Sequence, residues 1–222
     1  MRIIKKSTEK LLIESFKDAF KKIANNKSKQ NRRLSFVLTG GPSPINLYRN
    51  LNKLKIDWSN IDFFWGDERY VSENSKHSNY FLVKKNLFNF INIKNKQVFS
   101  INTKNKSPKI CVFNYNNKIR KYFKTKKISF DIFLLGMGND GHVASIFPNK
   151  LDEKSNKISR YVKRDDFKRI SINLKVINNS KKIFLWLNTK KSTKNFSEFR
   201  RKKKKVPVNY LNKKITTVFS II

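Results

Sequence analysis

His142 is one of only two histidines in the chain, and it closes the run Gly136-Met137-Gly138-Asn139-Asp140-Gly141-His142. A histidine in a glycine-rich loop is a candidate general base. Its ring exchanges a proton near neutral pH, and small neighbours let a ligand approach. A ring satisfied within its own turn is the competing reading, and the residue pattern leaves both open. Trp65-Gly66-Asp67-Glu68-Arg69 puts three charges directly after an apolar run. They form either a solvated loop with an internal ion pair or a site. In the second case Asp67 or Glu68 contacts a sugar or water, and Arg69 meets a phosphate or a developing negative charge. Thr39-Gly40-Gly41-Pro42-Ser43-Pro44 combines two glycines with a helix start, where free N–H groups and the positive dipole end suit an anion. Ser43 adds a hydroxyl, while the two prolines remove two N–H donors. A plain strand-to-helix turn is the alternative here.

Other chemistries lack their residues. One cysteine, Cys111, and two separated histidines do not make a zinc site, so no metal is expected. His77 lies in the polar stretch 74–79 and reads as structural or exposed. No phosphate-binding Walker run occurs, and the glycines at 136–141 do not have dinucleotide-loop spacing.

Apolar patterning indicates what must position these loops. Leu12, Ile13, Phe16, Phe20 and Ile23 recur at helical spacing, so residues 6–26 are expected to form an amphipathic helix, with a loop over 25–33. Strands are expected at 34–38, 61–65, 98–101, 132–135, 170–174, 183–187 and 216–221. Helices are expected after Pro44, from 78 to 88, from 109 to 123 and near 193–200, with a helical turn starting near His142. Short apolar strands alternating with helices argue for an α/β fold around a mostly parallel sheet, read as one domain over residues 1–222. Ligands of such sheets bind beyond the carboxyl ends of the strands, where loops 39–44, 66–79 and 136–148 would converge.

The 222 residues carry 51 Lys and Arg against 15 Asp and Glu, a formal charge of +36. A basic nucleic-acid-binding protein is one reading. The lysines are spread along the whole chain, however, and Lys, Asn, Ile and Phe share AT-rich codons, so compositional drift is favoured and nucleic acid is not expected as a partner. Arg200–Lys205, the densest run, reads as a solvated helix end. Cys111 is alone, which suits a reducing, cytoplasmic setting. No stretch of about 20 apolar residues is present to span a membrane, and Met1–Lys10 is too charged for a signal peptide.

Segments 38–51 (LTGGPSPINLYRNL), 61–80 (IDFFWGDERYVSENSKHSNY) and 130–149 (FDIFLLGMGNDGHVASIFPN) together resemble the 6-phosphogluconolactonase family, which is related to glucosamine-6-phosphate deaminases. Weaker matches run over 169–187 and 206–211. The 65–69 run and Ser145–Pro148 resemble the lactonases, and no acidic residue of the kind deaminases carry lies between His142 and Lys150. The resemblance implies a modified Rossmann-like α/β fold with a mostly parallel sheet flanked by helices, no cofactor, and a small phosphorylated sugar lactone as substrate. It implies His142 as general base, with Asp67 and Arg69 lining the site to orient hydroxyls or steady an oxyanion. Gly40, Gly41, Ser43 and Arg169 would hold the phosphate, with a lysine chosen as Lys191 over Lys190 and Lys194. Departures are Pro42-Ser43 in the first loop, His77 in place of an acidic residue, and Asn188-Thr189 in place of a glycine region. A deaminase-like activity is the runner-up. Oligomeric state is left open, with a monomer compatible.

Overall fold

The computed structural model describes residues 1–125, 127–153 and 155–222. In chain order the elements are β1 (Arg2–Lys6), α1 (Glu9–Lys29), β2 (Leu34–Leu38), α2 (Ile45–Leu51), β3 (Ile61–Trp65), β4 (Asp67–Arg69), α3 (Asn79–Asn86), β5 (Val98–Phe99), α4 (Pro108–Phe123), β6 (Ile132–Leu135), β7 (Ser159–Val162), β8 (Arg169–Ile172), α5 (Leu174–Asn178), β9 (Lys182–Leu187), α6 (Lys190–Arg201) and β10 (Thr216–Ile221).

Seven strands form one parallel sheet in the order β1-β10-β9-β6-β2-β3-β5. Its inner strands are buried on both faces, which is why β2, β3 and β6 read as unbroken apolar runs rather than alternating ones. Aromatic rings fill both sides. Phe16 of α1 packs on Phe184, Trp186 and Phe219 at 5.1–5.8 Å. Phe64 lies 4.9 Å from Tyr122 of α4 and 5.0 Å from Phe130, in edge-on contacts. The expected α/β architecture is therefore present.

Helix α1 begins where Thr8 accepts the Leu11 N–H and buries Leu12, Ile13, Phe16, Phe20 and Ala24. It runs through 25–29, which the sequence suggested as loop. The polar end continues as helix because Lys27 reaches inward to Asp131, at 2.6 Å. The left-handed Asn31 lies just beyond the helix end.

Two buried tyrosines clip the carboxyl ends of the central strands. Tyr48 donates its hydroxyl hydrogen to the Thr39 carbonyl and accepts the Thr39 N–H. Tyr115 does the same for both backbone groups of Trp65. Burial pushes both phenols well above their ordinary range, so they stay neutral donors.

A second sheet, β4-β8-β7, is antiparallel and sits at the end of β3. Sequence reasoning placed β4 inside a loop, because three charged residues do not read as a strand, and missed β7. Two more short elements, β1 and α5, were also missed. β1 is an edge strand whose charged residues stay partly exposed.

Candidate active site

The three loops meet in a cleft of about 380 Å³ at the carboxyl end of the parallel sheet. Residues 39–43, Asp67, Arg69, Asn79, residues 136–139, His142, Ala144 and Arg169 line it. The two glycine loops are joined where the Gly136 N–H donates to the Thr39 hydroxyl.

On one wall stands His142. Its Nδ1 lies 2.5 Å from Asp140 Oδ1, which also accepts the His142 backbone N–H at 3.1 Å. Burial alone would raise the Asp140 carboxyl. The charge of His142 and the hydrogen bonds from it outweigh that and hold Asp140 below the usual carboxylate range. An ionised Asp140 takes the Nδ1 hydrogen, so in the neutral form of the ring Nε2 is the nitrogen left without one. The loop turns through Gly138 N–H to His142 O and Gly141 N–H to Gly138 O, both 3.0 Å. Gly141 is left-handed, at φ +82°. A side chain at Gly141 would also meet Val206 and Phe199, so this turn needs glycine twice over.

The helical turn expected to begin near His142 does not form. Val143 bridges to Ile146, and Ala144 is left-handed at φ +50°. The physical reason is Ser145. Its N–H donates to Ser171 Oγ at 3.1 Å, and its hydroxyl donates to Asp67 Oδ2 at 2.6 Å. Those bonds pull the backbone onto the small sheet instead of into a helix. Phe147 then lies 4.6 Å from the His142 ring and receives the guanidinium of Arg164 at 4.3 Å.

The small sheet builds the charged part of the lining. Alternation along β4 sends Asp67 and Arg69 to the cleft and Glu68 the other way. Across the antiparallel register, Asp67 faces Ser171 and Arg69 faces Arg169. Two cations directly opposite each other repel in an ordinary sheet. Here both guanidinium groups line the cleft, and the Nε of each is buried without a partner among the described residues. Arg69 is anchored by a bond from Nη1 to the His77 carbonyl at 2.8 Å. Arg169 is anchored by an ion pair with Asp166. His77 itself is exposed against Phe167, as the sequence suggested.

The 66–69 segment is thus neither a solvated loop nor an internal ion pair, since Asp67 and Glu68 are both buried. Glu68 is absent from the cleft lining. Gly40, Gly41 and Ser43 are in it, with Gly41 left-handed at φ +78°. The Ser43 hydroxyl is donated to Asn188 Oδ1 at 2.5 Å, so its oxygen rather than its hydrogen is open to a ligand.

Lys191, the lysine expected to meet the phosphate, is placed outside the cleft lining. It stands exposed in the first turn of α6, as does Lys190, and neither they nor Lys194 line the cleft. Thr189 caps that helix, and the side chain that reaches Ser43 is Asn188.

Sequence reasoning missed two cleft-building residues. Asn79 packs so closely on Gly40 that any side chain at residue 40 would overlap it, and it donates to the Asp67 carbonyl at 2.9 Å. Ser145 holds the Asp67 carboxylate. Asn79 and Ser145 both lie in segments that carry the family resemblance, but nothing in those segments showed that Asn79 would pack on Gly40 or that Ser145 would bond to Asp67.

Among the described residues no group of three or more His, Cys, Asp or Glu could hold a metal ion, and no helix is long and apolar enough to cross a membrane.

Comparison with known proteins agrees with this geometry. The family model for glucosamine-6-phosphate isomerases/6-phosphogluconolactonase matches residues 7–219. A protein of Dictyostelium discoideum named "Probable 6-phosphogluconolactonase" is 36% identical over 191 residues, covering 80% of each chain. The crystal structure of a 6-phosphogluconolactonase from Thermotoga maritima superposes with a TM-score of 0.87 at 24% identity, over 99% of this chain and 98% of that one. A monomeric glucosamine-6-phosphate deaminase superposes with a TM-score of 0.86 at 19% identity, over 100% of this chain and 97% of that one, so the shared fold alone does not separate the two activities. By its sequence match and its architecture, the chain belongs to the glucosamine-6-phosphate isomerase/6-phosphogluconolactonase family.

Proposed function

We propose that the chain, as one domain over residues 1–222, hydrolyses 6-phospho-D-glucono-1,5-lactone to 6-phospho-D-gluconate, the ring-opening step of the oxidative pentose phosphate pathway. The observation that carries this reading is the pairing of His142 with an ionised Asp140 in a cleft that is also lined by Arg69 and Arg169, register partners on β4 and β8. The lactonase name of the Dictyostelium relative supports it. So does the absence of any acidic residue between His142 and Lys150.

In this mechanism His142 Nε2 takes a proton from water as the water oxygen bonds to the lactone carbonyl carbon. Asp140 keeps the ring oriented and stabilises the imidazolium. Collapse of the tetrahedral intermediate breaks the bond to the ring oxygen, which takes the proton from His142. The products are a hydroxyl group and a carboxylic acid, and the acid ionises. No covalent enzyme intermediate is needed, because a lactone is already an activated ester. Arg69, Arg169 and the backbone N–H groups of the Gly40–Ser43 loop hold the phosphate through charge-assisted hydrogen bonds. Asp67, fixed by Ser145, accepts from the sugar hydroxyls. Cys111, buried and unpaired, fits a reducing cytoplasm.

The test is hydrolysis of freshly made lactone by the wild type beside His142→Ala, with the spontaneous rate subtracted. Loss of about 10²- to 10⁴-fold in the variant is expected for a general base. Ammonia release from glucosamine 6-phosphate with no lactone hydrolysis would instead identify a deaminase.

A further inference from the structure

Glu68 is an acidic residue beside the cleft that the mechanism leaves without a task. It is 2% exposed, and its neighbour across the strand pair is the fully buried Ile170. Its carboxylate accepts four hydrogen bonds. Oε1 receives the N–H of Arg69 at 2.8 Å and of Asn79 at 2.7 Å. Oε2 receives the N–H of Tyr80 at 2.8 Å and the hydroxyl of Ser78 at 3.1 Å. These donors come from two segments only, β4 and the start of α3, and each segment supplies a side chain to the cleft: Arg69 from the first and Asn79 from the second. No residue of the His142 loop is among them. Burial pushes the carboxyl up to about 7, against the pull of the N–H groups of Asn79, Tyr80 and Arg69. A substrate contact would face the cleft, whereas this group is enclosed by backbone.

We infer that Glu68 is the positioning residue of the anion-binding wall, its carboxylate locking the start of α3 to β4 so that Arg69 and Asn79 stand where the substrate needs them. The inference rests on the lactonase reading for its kinetic arm and is independent of it for its binding arm. Glutamine is nearly the same size but offers one acceptor oxygen and turns an NH₂ group toward N–H donors. Two of the four donors then lose their acceptor. The two segments shift against each other while His142 and Asp140 stay in place.

The experiment compares wild type, Glu68→Gln and Glu68→Asp by lactone kinetics and by calorimetric titration with inorganic phosphate, well below each variant's melting temperature. Glu68→Gln should raise KM and the phosphate Kd by about tenfold, with kcat changed less than about threefold, given that small displacements of positioning groups are costly. Glu68→Asp, which keeps two acceptor oxygens, should recover part of the loss. A lower melting temperature with unchanged KM and phosphate affinity would show a purely structural role and overturn the inference. So would a fall in kcat alone. If Glu68→Gln does not fold, Ser78→Ala, which removes one donor, must shift KM in the same direction. A wild type that hydrolyses no lactone defeats the functional reading, while the phosphate comparison still judges Glu68.

Discussion

Gly138→Ala is a sharp probe of the His142 assignment, because its effect can be worked from geometry. A Cβ on Gly138 would lie 2.1 Å from His142 Cε1, 2.2 Å from Nδ1 and 2.9 Å from Asp140 Oδ1. Ordinary contact begins near 3.4 Å, so the ring must retreat by about 1.3 Å. Gly138 is not among the left-handed glycines, so alanine brings no backbone strain and the fold should survive. The retreat is large against the 2.5 Å contact between Nδ1 and Asp140, and it carries Nε2 off its line to the water. A displacement of about 1 Å can cost about a hundredfold in rate, equivalent to about 2.7 kcal/mol of barrier. The assay is kcat for lactone hydrolysis, net of the spontaneous rate, with the melting temperature recorded alongside. The loss should approach that of His142→Ala without exceeding it. A folded Gly138→Ala protein with kcat within about threefold of wild type would refute the idea that the ring's place beside Asp140 controls the reaction.

Asp140→Asn should lower kcat by one to two orders of magnitude, since the neutral amide neither enforces the Nδ1–H tautomer nor stabilises an imidazolium; unchanged kcat in steady-state assays would remove Asp140 from the mechanism. Arg169→Ala should raise KM by roughly 10- to 100-fold, from the loss of a charge-assisted hydrogen bond worth about 1.5–3 kcal/mol, and the penalty should shrink as salt is added. Acid stability should depend on Asp131. Burial alone would raise this carboxyl, but hydrogen bonds from Lys181 and Lys27 and the Ser35 N–H outweigh it and hold it below its ordinary value. The folded pKa lies below the unfolded one, so its contribution is present above the unfolded value of about 3.9 and is lost as pH falls through the folded value. Melting curves of wild type and Asp131→Asn from pH 7 to 3 should therefore converge toward acid; a constant gap would contradict this.

The main sheet was legible in the sequence because its strands are buried on both faces and carry unbroken apolar runs, as at Leu34–Leu38 and Ile132–Leu135. The glycine loops were legible because glycine clusters punctuate those runs. The small sheet was not. β4 consists of Asp67, Glu68 and Arg69, and it is a strand only because β8 supplies the register, a partner 100 residues away. That register decides which two charges face the ligand and which turns inward, so the separate fates of Asp67 and Glu68 were out of reach of a local reading. Lys191 illustrates the converse. Three nearby lysines offered no basis for choice, and the helix that starts at Lys190 leaves them outside the lining.

The facing arginines of β4 and β8 have a thermodynamic consequence. An anion between them removes a repulsion that the empty protein must carry, so ligand binding and folding are linked. An anion at about 100 times its dissociation constant adds about 2.7 kcal/mol to the stability of the folded state. Melting temperatures taken in phosphate buffer and in an uncharged buffer would then describe two differently loaded forms of the same chain. The cell's pool of sugar phosphates would set how much of this enzyme persists, as well as how fast it turns over.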